Sequence, residues 1–391
     1  MELAKYKLGD IVTLLNGRAY LMPELQDSGK YRILRVGNLS GGNDSWYYSD
    51  MELDENKYCE NGDLLYAWAC NFGPHIWREE KVIYHYHIWK LVENKEKVDR
   101  TYLYYYLLHQ TPFYLGGVNG ATMVHITKKN MEKKTVYIPS SLNVQHRIAS
   151  ILSTYDSLIE NNTKRISLLE KMAENLYKEW FVRFRFPGHE NVEMENGLPK
   201  GWKMTNLFDV ADVTYGFAFK SNKFCDNAEL NPVVRIRDIQ ENHTNTYTDE
   251  QCEDKYLIGK NAILIGMDGI FHMCLWNGER AYMNQRVVML NSKEKGVCNY
   301  LLYLAIRPQI KYWEQVISGT TVAHLGDKHL RKVKVLLPEK AILEKANSII
   351  SRAMDEKNIL QHQNSLLACQ RDLLLPRLMS GKLEVKEELL E

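Results

Sequence analysis

Few residues in this 391-residue chain are spaced for bond-making chemistry. Asn231-Pro-Val-Val is the nearest approach to the Asn/Asp-Pro-Pro-aromatic string of a methyltransferase, and it lacks the second proline and the aromatic residue. Asp54-Glu-Asn-Lys57 sets carboxylates beside a lysine, as a nuclease requires, but reads as a turn rather than a strand end. No G-x-x-x-x-G-K-[ST] phosphate loop occurs, so ATP-driven work is not expected of this chain. The seven cysteines (Cys59, Cys70, Cys225, Cys252, Cys274, Cys298, Cys369) are odd in number, scattered and without a C-x-x-C pair. Buried reduced thiols are expected, not zinc or disulfides.

What the sequence does carry is side chains suited to recognition. Arginine forms bidentate hydrogen bonds to guanine, and asparagine or glutamine to adenine. Candidates for such contacts are Asn71 and Arg78 in the first half, and Arg237, Asn284, Gln285 and Arg286 in the second. Each has a plainer alternative as a solvated side chain on a strand edge. A second kind of candidate is a string that occurs twice, GATMVHI at 120–126 and GTTVAHL at 319–325. Its glycine would let backbone approach a phosphate. Thr122 and Thr321, with His125, His324, Lys128, Lys129 and Lys328, could then position a duplex. The plainer alternative is a turn in which the two histidines satisfy buried carbonyls.

The string is part of a larger duplication, with His125 and His324 lying 199 residues apart (324 − 125). At the same offset Lys129 matches Lys328, Pro139 matches Pro338, and Leu8-Gly-Asp-Ile11 resembles Leu207-Phe-Asp-Val210. Arg35-Val-Gly-Asn-Leu39 resembles Arg235-Ile-Arg-Asp-Ile239 one residue further on, which adds Arg35 and Arg235 to the candidates. Between these anchors the halves diverge. A framework that repeats while its intervening stretches do not is one scaffold used twice to recognise two different things.

Each half must be a mixed α+β globule of about 140 residues, within the usual size of a domain. Residues 82–91 (VIYHYHIWKL) and 281–290 (AYMNQRVVML) are aromatic and β-branched enough to be strands. Residues 102–109 and 300–306 are short helical candidates, and Ser40-Gly-Gly-Asn-Asp44, Glu60-Asn-Gly-Asp63 and Asn277-Gly-Glu279 are turns. After each globule the pattern changes. Ile148, Leu152, Tyr155, Ile159, Asn162, Ile166, Leu169, Ala173, Leu176 and Trp180 follow alternating steps of four and three, a heptad seam with one polar member. Asn143 is the expected N-cap and Pro187-Gly188 the expected stop. Such a helix would reach about 54 Å at 1.5 Å per residue, too long for its own globule to cover. The second copy offers a partner in Ala346, Ala353, Leu360, Leu367 and Leu374, spaced by seven. Ile342, Ile349, Glu356, Gln363 and Gln370 would take its other seam position, with Pro376 and Gly381 breaking the pattern.

These residues match a known family. Leu-Tyr-Lys-Glu-Trp-Phe-Val at 176–182, Phe184-Arg-Phe-Pro-Gly188 and Gly197-Leu-Pro-Lys-Gly-Trp202 resemble the middle of type I restriction enzyme specificity subunits. Ile138-Pro-Ser-Ser-Leu-Asn-Val-Gln145 is similar to that family's helix start, and Asp372-Leu-Leu-Leu-Pro-Arg-Leu-Met-Ser-Gly381 to its C-terminal signature. Two departures stand out: Asn143 where an acidic residue is common, and Glu344 where the second copy should have glutamine. The resemblance implies an α+β fold of two tandem mixed α/β target-recognition domains, separated by a long antiparallel two-helix coiled coil with an internal pseudo-two-fold repeat. In this sequence it divides the chain into a first recognition domain at 1–140, a central spacer helix at 141–186 and a linker at 187–202. A second recognition domain follows at 203–338 and a C-terminal spacer helix at 339–391. It further implies double-stranded DNA as ligand, two methyltransferase (modification) subunits docking on the spacer helices, and restriction/translocase subunits beyond them. No cofactor is expected on this chain. S-adenosylmethionine, ATP and magnesium are expected on the partners.

Fifty basic and forty-nine acidic residues give a net charge of +1, low for an autonomous DNA binder. Local basic patches or partner subunits would have to supply the phosphate contacts. No apolar run approaches a membrane span and the N-terminus has no secretory signal, so a cytoplasmic protein is expected. The alternative outside DNA recognition is a helical scaffold carrying two peptide- or protein-binding heads.

Overall fold

The computed structural model describes residues 2–39, 45–116, 126–294, 296–317 and 323–385. The chain divides into two compact units, Met1–Asn161 with Asn364–Glu391, and Asn162–Gln363. Each long helix thus gives one stretch to each unit, whereas the sequence segmentation sets the helices apart.

In the first unit the strands run β1 (Leu3–Lys7), β2 (Val12–Asn16), β3 (Tyr31–Leu34), β4 (Tyr47–Ser49), β5 (Tyr58–Cys59), β6 (Leu64–Ala67), β7 (Gly73–Ile76), β8 (Val82–Tyr84) and β9 (Ile88–Glu93). Helix α1 (Arg100–Leu115) and strand β10 (Thr135–Pro139) follow, then the long helix α2 (Leu142–Tyr177). β1 and β10 pair antiparallel and so bring the two ends of the globule together. One four-stranded sheet has the order β2-β9-β6-β7, and another the order β4-β3-β8-β5, in which β3 and β8 are parallel. The first sheet buries Leu14, Leu64, Tyr66, Trp89 and Leu91 against Tyr102, Leu103, Tyr106 and Leu107 of α1. α1 extends beyond the expected 102–109 at both ends. The Asp99 carboxylate caps it by accepting the Tyr102 N–H at 2.7 Å, and Pro112 near its end forfeits little more than its own N–H bond.

The second unit repeats this plan with β11 (Lys203–Asn206), β12 (Ala211–Tyr215), β13 (Asn231–Val234), β14 (Tyr247–Thr248), β15 (Ile263–Gly266), β16 (Met273–Leu275), β17 (Tyr282–Met283) and β18 (Val287–Ser292). Helix α3 (Asn299–Ile317), strand β19 (Lys334–Leu337) and the long helix α4 (Lys340–Met379) complete it. β11 pairs with β19, one sheet has the order β12-β18-β15-β16 and another the order β14-β13-β17, again with a parallel pair, β13 and β17. The sequence repeat is therefore a repeat of topology.

Residues 82–91 and 281–290, expected as single strands, each break in two. β8 and β17 belong to the mixed sheets, β9 and β18 to the antiparallel sheets, and a turn at 85–87 or 284–286 carries the chain between them. Strand-like composition on both sides of the polar turn hid the break.

α2 has 36 residues and α4 has 40, and their details differ from the expectation. The Ser141 hydroxyl, not Asn143, accepts the Val144 N–H at the start of α2. After Tyr177 the helix loosens into a π-turn at Lys178–Val182, and Phe184 then adopts a left-handed φ of 57°, so the helix stops before Pro187. Phe181, Phe184 and Phe186 surround Trp202 at ring distances of 5.9, 5.7 and 4.9 Å, which packs the linker into the second unit. α4 runs through Pro376 to Met379 instead of breaking there, because the proline lies in the last turns, where Leu375, Leu378 and Met379 anchor the helix in the first core.

Within the first unit, Arg371 meets Asp156 at 2.6 Å and the Asn364 amide donates to the Ile159 carbonyl at 3.4 Å, an antiparallel pairing. Ile148 and Leu152 face inward there, as Leu169, Ala173 and Leu176 do in the second unit with Ala346 and Ala353. The other inward position of α4 falls one residue later than expected. Leu343, Ile350 and Leu378 are buried and Lys357, Asn364 and Arg371 half-buried, while Glu356, Gln363 and Gln370 are exposed. Asn162 is a buried polar residue of α2.

Gln145, fully buried, joins three segments. Its amide donates to the carbonyls of Lys97 and Pro139, and its oxygen accepts the Asp99 N–H at 2.9 Å. In the second copy Glu344 is exposed, and Asn347 takes over by accepting the Cys298 N–H at 2.8 Å. All seven cysteines are free, but of the seven Cys59 alone is buried; Cys252, Cys274 and Cys298 are partly buried and Cys70, Cys225 and Cys369 exposed.

Candidate nucleic-acid interface

The crossover turns lie where each unit's divergent residues meet its repeated framework. Gly17 and Gly216 directly follow β2 and β12 and lie beneath the turns. A Cβ at Gly17 would come within 2.4 Å of the His85 carbonyl oxygen, and one at Gly216 within 2.0 Å of that of Asn284. His85 donates its N–H to the Leu34 carbonyl, as Asn284 does to that of Val234. The Trp68 N–H binds the His87 carbonyl at 3.1 Å while the Trp68 carbonyl accepts the Ile126 N–H at 3.5 Å. In the second unit the Met267 N–H binds the Arg286 carbonyl at 3.0 Å and the Met267 carbonyl accepts the Leu325 N–H at 2.8 Å. One backbone node thus joins the turn, the loop after β6 or β15, and the end of the repeated string.

The side chains on that node differ in kind. In the first unit they are aromatic. Trp68 lies 5.9 Å from Tyr86 and 5.0 Å from His87, and His85 lies 4.8 Å from His87. The Trp68 indole N–H donates to the Tyr86 carbonyl at 2.8 Å, leaving the Tyr86 ring exposed. Burial, aided by the charges of His87 and Arg35, pushes the His85 imidazole down to about 4, and burial lowers His87 too. Both rings are neutral near pH 7, able to donate at one nitrogen and accept at the other. Asn71 is exposed in the adjoining loop.

In the second unit the node is polar and charged. Asp268 accepts a hydrogen bond from Nδ1 of His324 at 2.6 Å and faces Nε of Arg286 at 3.4 Å. His324 therefore serves a carboxylate and not a buried carbonyl. The Asn284 side chain accepts the Gln285 N–H at 2.8 Å, which leaves Gln285 and Arg286 projecting from the turn.

Asn284, Gln285, Arg286 and His324 are thus brought together. Arg237 lies on the neighbouring 3-10 turn Ile236–Asp238, bonded to Thr246 at 3.3 Å, and Arg235 stacks on Phe224 at 5.5 Å. Arg35 stacks on Tyr47 at 4.4 Å and donates to the Ser45 carbonyl. Arg78 is turned to Glu160 of the spacer helix at 3.6 Å. Lys128 pairs with Glu132 on a short helix where Lys129 is exposed, and Lys328 is exposed on the matching turn Asp327–Leu330. Thr122, His125 and Thr321 lie outside the described residues. Sequence reasoning missed Trp68, His85, Tyr86, His87 and Asp268. The 199-residue offset carried onto 284–286 would have found the histidine-tyrosine turn.

Among the described residues no group of three His, Cys, Asp or Glu side chains could hold a metal ion, and no helix is long and apolar enough to cross a membrane.

The family model described as type I restriction modification DNA specificity domain matches residues 2–171 and again 199–366. The type I restriction enzyme MjaIX specificity subunit of Methanocaldococcus jannaschii is 27% identical over 314 residues, covering 75% of this chain and 71% of that protein. The MjaVIII specificity subunit of the same organism is 24% identical over 401 residues, covering 97% and 92%. The crystal structure of the type I restriction-modification S subunit from M. genitalium superposes with a TM-score of 0.63 at 16% identity, covering 97% of this chain and 96% of that one, a likeness of fold.

Proposed function

Because the chain belongs to the type I restriction-modification DNA specificity family, we propose that it reads a two-part DNA target, one part with each unit, and recruits the subunits that act there. It is the specificity subunit of such a complex, and recognition rather than catalysis is its task. The observation that carries this reading is the crossover node: the same backbone twice, bearing an aromatic set in one unit and an amide-guanidinium set in the other. The recognition domains are taken as 1–140 and 203–338, with the spacer helices at 141–186 and 339–391.

Base contacts are assigned to Asn71, Asn284, Gln285 and Arg286, with Arg35, Arg235 and Arg237 beside them, and backbone contacts to Lys128, Lys129 and Lys328. Methyltransferase and restriction subunits would bring S-adenosylmethionine, ATP and magnesium. The spacer helices give them something to grip: Leu158, Leu168 and Met172 on α2, and Ile359, Leu366 and Leu373 on α4, are exposed apolar residues outside the inward seam. The near-neutral net charge fits a reader whose tight binding needs those partners. The same helices would set the spacing of the half-sites, since 36 residues span about 54 Å, or roughly 16 base pairs at ~3.4 Å each. The complex would act on DNA in the cytoplasm.

The test is to map methylated adenines across a genome with this chain present and absent. Loss of one bipartite motif is expected; an unchanged map would sink the reading. A gel-shift with the methyltransferase partner across a salt series should show affinity falling steeply with salt, which a peptide-binding scaffold would not show.

A further inference from the structure

We infer that the three-residue crossover turn is the base-discriminating element of each unit, His85-Tyr86-His87 in the first and Asn284-Gln285-Arg286 in the second. The inference rests on the DNA-reading role proposed above and assigns it to one element of the fold.

Three observations converge on these turns. Their backbone is fixed identically, by a glycine beneath (Gly17, Gly216), by the mixed-sheet carbonyl of Leu34 or Val234, and by the N–H of Trp68 or Met267. A rigid backbone holds its side chains within the narrow tolerance that base discrimination demands. Against that fixed frame the side chains at all three positions differ between the units, and Tyr86, Gln285 and Arg286 are exposed. The residues that flank the turns, by contrast, are buried apolar in both copies, Val82, Tyr84 and Ile88 in one and Met283, Val287 and Met289 in the other, and cannot vary without disturbing a core.

The chemistry of each set then states what it would read. Arg286, oriented by Asp268, presents the guanidinium fork that matches O6 and N7 of guanine, and Gln285 beside it suits adenine. The second half-site therefore includes guanine next to adenine. The first turn has no guanidinium. The exposed Tyr86 ring, backed by Trp68, offers an apolar face to a thymine methyl, and the neutral imidazoles of His85 and His87 offer a donor and an acceptor. Asp268 is a positioning residue, because it acts through Arg286 and His324.

The experiment uses the full chain assembled with its methyltransferase subunits in a restriction-deficient host. Methylome mapping is combined with competition binding to duplexes substituted at each position. Arg286→Ala should relax one position of one half-site by about tenfold or more, leaving the other half-site and the spacer unchanged. Asp268→Asn should relax the same position less. Tyr86→Ala should abolish a wild-type preference for thymine over uracil at one position of the other half-site. If an alanine variant fails to fold, Arg286→Gln and Tyr86→Asn carry the test in the same assays. Variants that keep the wild-type base preference at every position overturn the inference. A wild-type complex with no bipartite motif at all would instead overturn the DNA-reading role itself.

Discussion

Gly216 lies so close beneath Asn284 that a Cβ on the glycine would sit 2.0 Å from the Asn284 carbonyl oxygen. Gly17 stands in the same relation to His85, at 2.4 Å. The requirement is for space, and the obstructing atoms are backbone, which cannot swing aside. Gly216→Ala and Gly17→Ala should each cost about 1–3 kcal/mol by forcing the turn off the strand. Urea unfolding of the two variants measures this, and a loss below a few tenths of a kcal/mol would show that the turn is not pinned.

Asp156 fastens the first globule to both spacer helices by accepting hydrogen bonds from the Tyr105 hydroxyl and, at 2.6 Å, from Arg371. Both charged side chains are about a quarter exposed, at 24%. Asp156→Ala should destabilise by about 1–3 kcal/mol, because Arg371 and the Tyr105 hydroxyl lose a half-buried acceptor. A double-mutant cycle with Arg371→Met should show positive coupling; additive effects would contradict a direct pair.

His85 makes stability depend on pH. Burial, with the charges of His87 and Arg35 nearby, lowers its folded-state pKa from 6.5 to about 4. Between those values the unfolded chain binds more protons than the folded one, so the contribution is full above about pH 6.5 and is lost as pH falls toward 4. Thermal unfolding across that window should show a falling midpoint, with the decline shallower in His85→Gln. Equal slopes for the two proteins would remove His85 as the cause.

Leu366 and Leu373 are 49% and 61% exposed although they lie on a helix whose other face is packed. Leu366→Glu with Leu373→Glu should leave the unfolding midpoint within about a degree or two, as surface changes do. The same pair should weaken capture of the methyltransferase subunit at least tenfold in a pull-down at matched concentrations. Undiminished capture would place the docking surface elsewhere.

Much of this protein is written in local pattern. The offset of 199 residues between His125 and His324 already implied two copies of one fold, and the steps of four and three from Ile148 to Trp180 implied a long helix in need of a partner. The inward alanines Ala346 and Ala353 were legible for the same reason, since helical periodicity is a property of the segment alone. What stayed hidden depends on partners distant in the chain. Whether Ile349 or Ile350 faces inward is decided by the core that α4 meets, because adjacent apolar residues satisfy the heptad equally well. The break at 85–87 is hidden because His-Tyr-His continues the aromatic, strand-like composition of residues 82–91. It exists because Val82–Tyr84 bonds to one sheet and Ile88–Glu93 to another, and those pairings reach as far as Val12 with Glu93, 81 residues apart (93 − 12), a spacing no local propensity encodes.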